Sequence, residues 1–166
     1  LLAMSGTHTR PMTLEGVMVP DMNVAAVKDF HEWVKADAKK TLDANPATFG
    51  IVRGAVSELH AIAERRNDSQ MRDLVATMRS KTIRLRRDVY AAVEADGADQ
   101  ARLALRAESL DLATRAATAV ITAKAGASMQ RGCTAERRLR EAMFLQVQAQ
   151  TAATRYASLA LIEGQM

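Results

Sequence analysis

The sequence predicts an all-α protein, an antiparallel four-helix bundle preceded by a short N-terminal β-strand. Aromatic residues make up only 4% of the 166 residues and alanine is abundant, which favours closely packed helices over a β-sandwich. Apolar residues recur every three or four positions in several long segments. Short stretches containing glycine, proline or asparagine separate these segments, as in bundles whose consecutive helices are antiparallel.

The N-terminal strand is predicted over residues 12–20, where apolar residues alternate with others, with a kink at Gly16 and an end at Pro20. A lone strand is unstable in water. The opening from Leu1 to Gly6 also does not resemble the start of a chain. We therefore expect the sequence to be a piece of a longer protein.

The first helix is predicted from Asp29 to Leu42, because Val27, Phe30 and Val34 fall at helical spacing. Asn45-Pro46 is typical of a helix start, with a capping side chain followed by proline at the first helical position. The helix that begins there is expected to end near Arg66 and Asn67.

Three further helices are predicted over 69–95, 98–125 and 134–164. Asp96-Gly97 separates the first two, and the glycine-containing loop 126–133 separates the last two. The last helix is expected to carry one row through Leu139, Met143, Val147 and Thr151, and a second apolar row through Leu145 and Leu159.

Composition argues against several classes of function. The single cysteine forbids an internal disulfide or a thiolate metal site and favours a reducing, cytoplasmic location. The three histidines form no Glu-x-x-His pair, so no di-iron or other metal site is predicted. The net charge of +4 is spread among interspersed acidic residues, which argues against nucleic-acid binding. No apolar run approaches the roughly 20 residues of a membrane span, and no signal peptide is expected.

Three local features have alternative interpretations. Cys133, at a helix N-terminus, is either a reactive thiol or a small residue tolerated in a loop. Residues 126–128 either cradle a phosphate or connect two helices. Glu136 and Arg140 are spaced as an exposed ion pair, although Arg140 and Glu141 also adjoin the apolar row, which would permit a buried ionic contact.

Three short motifs resemble segments of the acyl-CoA dehydrogenase family. Glu136-Arg137-x-x-Arg140-Glu141-Ala142 is similar to the family's E-R-x-x-R-D-A segment, with Glu141 in place of Asp. Gly54-Ala55-Val56 falls where the family has a Gly-Ala-rich first bundle helix. Val17-x-Val19-Pro20 resembles the V-x-V-P that closes its middle β-domain. The order and spacing agree, and the resemblance covers nearly the whole chain.

The resemblance implies that residues 1–22 end a middle β-domain and residues 23–166 form the C-terminal four-helix bundle domain. The parent protein would be an FAD-dependent oxidoreductase that acts on CH–CH bonds of acyl-CoA-type thioesters, or on another small molecule. In the family, FAD binds between the β-domain and the bundle, and the partner subunit's bundle contributes. A homo- or hetero-oligomer is therefore implied, with Gly126, Ala127 and Thr151 as cofactor-binding residues.

The sequence departs from the family at the catalytic base. Ala149 stands where the Y-E-G-T tetrad of many members has its glutamate. Other members carry the base on the first bundle helix, where this chain has Ala47, seven residues before Gly54. Neither alanine accepts a proton, so no catalytic residue is assigned. The family's R-x-x-F-G segment after the first bundle helix is also missing.

Three functions remain open. The first is a divergent dehydrogenase-like flavoprotein, including a non-catalytic partner in a hetero-oligomer. The second is a flavin-dependent monooxygenase of the same fold, which activates oxygen at the flavin and needs no glutamate base. The third is a non-enzymatic oligomerisation module. In all three, the 166-residue piece alone is not expected to turn over substrate.

Overall fold

The computed structural model describes residues 10–95 and 97–164, and it confirms the all-α class. The α-helices of this part of the chain are α1 (Phe30–Lys40), α2 (Pro46–Arg66), α3 (Ser69–Glu94), α4 (Asp99–Lys124), α5 (Thr134–Val147) and α6 (Ala152–Glu163). Two 3₁₀ turns cover Asp21–Asn23 and Ala125–Met129. The bounds predicted for the first four helices are confirmed to within about two residues, the usual uncertainty of a helix end.

Side-chain caps explain where the early helices begin. Asp29, Asn45 and Asp68 each accept a hydrogen bond from a backbone N–H in the first turn of α1, α2 and α3. Such a bond satisfies one of the N–H groups that a helix start leaves without a partner. At the other end of α2, Asn67 adopts the left-handed conformation, with a φ of 51°, and ends the helix.

The core surrounds α4, which packs against α2, α3, α5 and α6. Because it has neighbours on most sides, α4 buries residues around nearly its whole circumference rather than along one stripe. Many of these residues are small, including Ala113, Ala116 and Ala117, which are at most 1% exposed. Small side chains let neighbouring helices approach closely, which accounts for the alanine content of the chain.

The predicted N-terminal strand is wrong for the residues that the structure describes. Residues 10–20 are exposed and contain no strand, and Gly16 forms a bend with a φ of +61°. The alternating apolar pattern has no neighbouring strand within the described residues with which to pair. Without such a partner a lone strand is not stable in water. The segment Leu1 to Gly6 and Asp96, both used in the predictions above, lie outside the described residues.

The single helix predicted over 134–164 is also wrong, because it divides into α5 and α6. Ala149 has a positive φ of 49° at the break, and Thr151 caps the start of α6 in a capping box. Most of the two expected rows fails with it, since Met143, Val147 and Leu159 are 47%, 65% and 52% exposed, whereas Leu145 is buried. A buried arginine of α4, described below, binds the backbone at the break.

Candidate functional site

A polar cavity lies where the α1–α2 connection meets the break between α5 and α6. We call it the junction cavity. It has a volume of about 320 Å³ and is lined by most of residues 40–46, by Arg106, Leu110 and Leu145, and by Gln148 and Ala149. Its walls therefore come from three separate parts of the sequence. Two of these are loops that follow helix C-termini, so backbone carbonyl groups face the same region.

Arg106 joins these two loops from within α4. Its side chain is on a residue only 8% exposed. One terminal nitrogen donates to Thr41 O at 2.5 Å and to Asp43 O at 3.3 Å. The other donates to Gln148 O at 2.9 Å and to Ala149 O at 3.4 Å. The guanidinium thus donates hydrogen bonds to backbone carbonyl groups at the ends of both α1 and α5, where helix dipoles place partial negative charge.

The electrostatics of Arg106 follow from this environment. Burial lowers the pKa of its guanidinium, and the nearby charge of Asp43 partly offsets that effect. An arginine remains protonated at neutral pH even so. Its Nε atom is buried and has no hydrogen-bond partner among the described residues. The charge is stabilised mainly by neutral carbonyl dipoles rather than by a directly bonded carboxylate.

Asp43 provides the only carboxylate among the described residues that line the junction cavity. Arg102 binds both of its oxygens, with Nε to Oδ1 at 2.7 Å and a terminal nitrogen to Oδ2 at 2.8 Å. This bidentate pair raises the pKa of Arg102. Both carboxylate oxygens of Asp43 are therefore engaged by a side chain of the same protein.

Of the two alanines at the family's base positions, one lines this cavity and the other directly follows residues that do. Ala47 lies in the first turn of α2, directly after Asn45 and Pro46 in the cavity wall, and Ala149 lines the cavity itself. Asn45 Nδ2 donates to Gln148 Oε1 at 3.0 Å and joins the start of α2 to the α5–α6 break. No signal in the sequence other than the family resemblance links these positions.

The cofactor-binding residues predicted from the resemblance do not lie together in one chain. Gly126 and Ala127 are exposed in the turn after α4, and Thr151 caps α6 beyond the far end of α5. The intervening helix has 14 residues, a length of about 21 Å. The Thr151 hydroxyl is also engaged in the capping box with Thr154. Gly126 and Ala127 therefore lie at the opposite end of α5 from Thr151.

A second polar cluster lies at the other end of α4, around Glu58 of α2. Its carboxylate accepts hydrogen bonds from Lys124 at 2.6 Å, from Thr134 at 3.1 Å and from Arg138. Partial burial acts to raise the pKa of Glu58, but these hydrogen bonds outweigh it and hold the pKa below its ordinary value. Gly54 packs against the Arg138 side chain, which leaves no room there for a β-carbon.

The charged motif that carries the family resemblance is divided between surface and interior. Arg140 Nε lies 2.6 Å from Glu136 Oε1, and Arg137 pairs with Glu141 at 3.5 Å. Both are i,i+4 pairs along α5; the Glu136–Arg140 spacing is as predicted, but that pair is partly buried rather than fully exposed. The residue that reaches another helix is Arg138, which the sequence analysis did not single out.

Cys133 precedes α5 as its N-cap, next to Lys124. A hydrogen bond from the backbone N–H of Ala135 lowers the pKa of the thiol, with further contributions from the N–H of Glu136 and from Lys124. In residues 10–95 and 97–164, no three His, Cys, Asp or Glu side chains are grouped as a metal site requires. None of the described helices is long and apolar enough to cross a membrane.

Comparison with models of known protein families, with curated proteins and with solved structures finds no match to this chain.

Proposed function

We propose that this chain is the C-terminal helical part of an acyl-CoA dehydrogenase-like, FAD-dependent oxidoreductase in which the usual catalytic glutamate is absent. Helices α2–α5 would form the antiparallel four-helix bundle. The packing supports this arrangement, because α2 and α4 pack most extensively and each also contacts both α3 and α5. The function of the chain would be to contact flavin and to assemble subunits in the cytoplasm.

The observation that carries the proposal is that Ala149 lines the junction cavity, together with Asn45 and Pro46, which directly precede Ala47. A general base must lie within hydrogen-bond reach of the same substrate proton, whichever helix supplies it. Two alternative positions for one base must therefore converge in space, although they are far apart in the sequence. In this chain the Asn45–Gln148 hydrogen bond joins a residue two positions before Ala47 to the residue before Ala149.

The chemistry of the cavity favours a ligand that is bound without proton abstraction. Neither base position has a carboxylate, and both carboxylate oxygens of Asp43 already accept hydrogen bonds from Arg102. The polar groups Arg106, Asn45 and Gln148 are suited to orienting a small molecule rather than to removing a proton from carbon. This favours a flavin-dependent monooxygenase of the same fold as the second candidate function.

The separation of Gly126 and Ala127 from Thr151 bears on where FAD would be held. When bound, FAD supplies the redox chemistry that no side chain provides. Since one chain does not gather these residues, the remaining parts of the parent protein and a partner subunit would have to supply most of the contacts. The 166-residue chain by itself is then not an enzyme, and the third candidate, an oligomerisation module, describes its behaviour alone.

The first test is the absorption spectrum of the intact, natively purified parent protein between about 350 and 500 nm, where bound flavin absorbs. Two flavin bands support the proposal. A colourless protein that takes up no added FAD contradicts it and favours the oligomerisation module. For a yellow protein, bleaching by acyl-CoA thioesters distinguishes a dehydrogenase from a monooxygenase, which would instead consume oxygen when its flavin is reduced.

A second test restores the base. In the parent protein, Ala149→Glu places a carboxylate at the cavity, and we expect acyl-CoA-dependent flavin bleaching to appear or to rise at least about tenfold. Gln150→Glu is the matched control, because it adds the same charge at the following residue, which does not line the cavity. Equal responses of the two variants would contradict the placement of a base at residue 149.

A further inference from the structure

An apolar groove runs between the first half of α3 and the second half of α4, far from the junction cavity. It has a volume of about 770 Å³ and is open to solvent. Met71, Leu74 and Met78 form one side, and Leu112 and Ala119 belong to the other. Methionine side chains are flexible and polarisable, so they pack well against an incoming apolar surface. Grooves of this kind seat the apolar face of an amphipathic helix.

Helix α1 has such a face, and nothing in the described chain covers it. Phe30, Trp33 and Val34 are 67%, 49% and 43% exposed, and α1 buries no residue at all. Val27, just before the helix, is also exposed, at 90%. Phe30, Trp33 and Val34 have the i, i+3, i+4 spacing of helix-in-groove anchors.

We propose that the α3–α4 groove of one copy of this chain binds α1 of a second copy, in a reciprocal dimer. Two-fold exchange of an identical element is a low-cost route to a closed dimer. An aromatic side chain buries roughly 150–250 Å². Because Phe30 and Trp33 are 67% and 49% exposed, burying both in two copies removes about 350–600 Å² of their surface from water. With a similar area from the groove walls, the interface reaches the size of weak, transient interfaces.

The lengths of the two surfaces match. Along α3, the residues that line the groove run from Asp68, its N-cap, to Lys81. This stretch measures about 20 Å, and the 11 residues of α1 measure about 16 Å. Helix α1 therefore fits within the groove without projecting beyond either end.

The charges of the two surfaces fix the direction. Helix α1 begins with Asp29 and Glu32 and ends with Lys39 and Lys40. The groove has Asp68 at one end, and Lys81 and Arg115 at the other. Opposite charges face one another only when the start of α1 lies at the Lys81 end. In that direction α1 runs antiparallel to α3.

The chain's own α1 cannot bind in this direction. Its last residue, Lys40, would have to lie near Asp68, at the far end of α2. Helix α2 has 21 residues and is about 31 Å long. The connection from Lys40 to Asn45 spans at most about 18 Å, and Asn45 is at the near end of α2. Docking within one chain would require the reverse direction, which places like charges together.

Two copies in antiparallel orientation allow both the pairing of opposite charges and the short connection from Lys40 to Asn45. Helix α1 leaves the molecule beside Arg106, which holds Thr41 O, whereas the groove lies toward the opposite end of α4. A two-fold axis perpendicular to α4 would bring the α1–α2 connection of each copy to the Asp68 end of the partner's groove, so both α1 helices could bind at the same time. The interface closes on itself and leaves neither groove open to a third copy.

Trp33 is the only tryptophan of the chain, so its fluorescence reports on this interface directly. In sedimentation of the 166-residue chain, we expect dimers to form as the concentration rises. Over the same range, Trp33 emission should shift to shorter wavelength and quenching by acrylamide should fall at least about twofold, because burial excludes water and quencher. A monomer with exposed Trp33 at all concentrations overturns the proposal. A monomer with protected Trp33 indicates docking within one chain and overturns it equally.

A pair of variants on α3 tests the groove. Leu74→Lys places a charge in the groove at a residue that is 40% exposed, so we expect the chain to fold and the dimer dissociation constant to rise at least about tenfold. Ile83→Lys is the matched control, on the same helix, 72% exposed and outside the groove. Loss of dimer in both variants, or in neither, overturns the assignment.

Mixing distinguishes exchange of α1 from any other dimer. Leu74→Lys blocks the groove, and Phe30→Lys blocks the apolar face of α1. Each variant alone should remain monomeric, because both α1–groove contacts of its homodimer contain a substituted residue. A heterodimer of the two variants has one unmodified contact, between α1 of the Leu74→Lys chain and the groove of the Phe30→Lys chain. The mixture should therefore form heterodimers. Far-ultraviolet circular dichroism of each variant shows that it is folded, and absence of heterodimers between folded variants contradicts the proposal.

Discussion

Two charged side chains lie between helices toward opposite ends of α4, and their partners differ in kind. Glu58 is surrounded by side chains of opposite charge or with hydroxyl groups, from α4 and α5. Arg106 is surrounded by backbone carbonyl groups at the ends of α1 and α5. The first arrangement ties helices together through side chains. The second determines where helices stop, and it also forms the wall of the junction cavity.

The largest effect is expected from Arg106→Met. The substitution keeps much of the side-chain volume but leaves four carbonyl groups without their donor, which should lower the free energy of unfolding by about 3 kcal/mol. Urea denaturation measures this change. Arg137→Met is the control, since Arg137 is 61% exposed in an i,i+4 pair and should cost at most about 0.5 kcal/mol. Similar losses in the two variants would contradict a special role for Arg106.

Glu58→Gln should have the next largest effect, and it should depend on pH. At pH 7 we expect a loss of about 2 kcal/mol, because Lys124 and Arg138 lose a partner that is only 19% exposed. The folded-state pKa of Glu58 lies below its ordinary value of 4.5. Its ionised form therefore stabilises the fold above pH 4.5, and this contribution disappears as pH falls through the folded-state pKa.

The measurement is urea denaturation of both proteins between about pH 7 and pH 3, with Glu141→Gln as the control. Glu141 is 40% exposed, and its substitution should cost at most about 0.5 kcal/mol. The difference between the Glu58 variant and the unmodified chain should shrink as the pH is lowered. A difference that stays constant over this range would show that its origin is packing rather than charge.

A glycine pair tests how closely the Glu58 cluster is packed. Gly50 and Gly54 both lie in α2, and a β-carbon at Gly50 would meet nothing within 4 Å. A β-carbon at Gly54 would lie 2.9 Å from Arg138 Nε. We expect Gly50→Ala to raise the free energy of unfolding by about 0.5–1 kcal/mol through helix propensity. Gly54→Ala should lose that gain by displacing Arg138, and equal stabilisation in thermal melts would contradict the close contact.

The same comparison explains what could be predicted from the sequence. The helix starts at Asp29, Asn45 and Asp68 depend on residues within three positions of one another, so local patterns predicted them. The ion pairs along α5 have i,i+4 spacing, so their pairing also follows from the local sequence. Local rules of this kind cover most of the helices and of the core.

The break between α5 and α6 could not be predicted in this way. Its apolar row continues through the break, so periodicity favours one long helix. The opposing effect comes from Arg106, which is 42 residues away from Gln148 in the sequence. The contact between Arg138 and Glu58 spans 80 residues. Helix periodicity carries no information on such pairs, so the junction cavity and the Glu58 cluster emerged only in three dimensions.

The smallest predicted effect concerns the support of the junction cavity by Arg102. Arg102→Lys keeps the positive charge but loses the two-pronged contact with Asp43, in a pair that is partly exposed. We expect a loss of about 0.5 kcal/mol that shrinks as salt is added, because solvent and ions screen the remaining attraction. Thermal melts at low and high salt measure it. Should the loss equal that of Arg106→Met, the carboxylate of Asp43 rather than the carbonyl groups would be the main stabiliser of this end of the molecule.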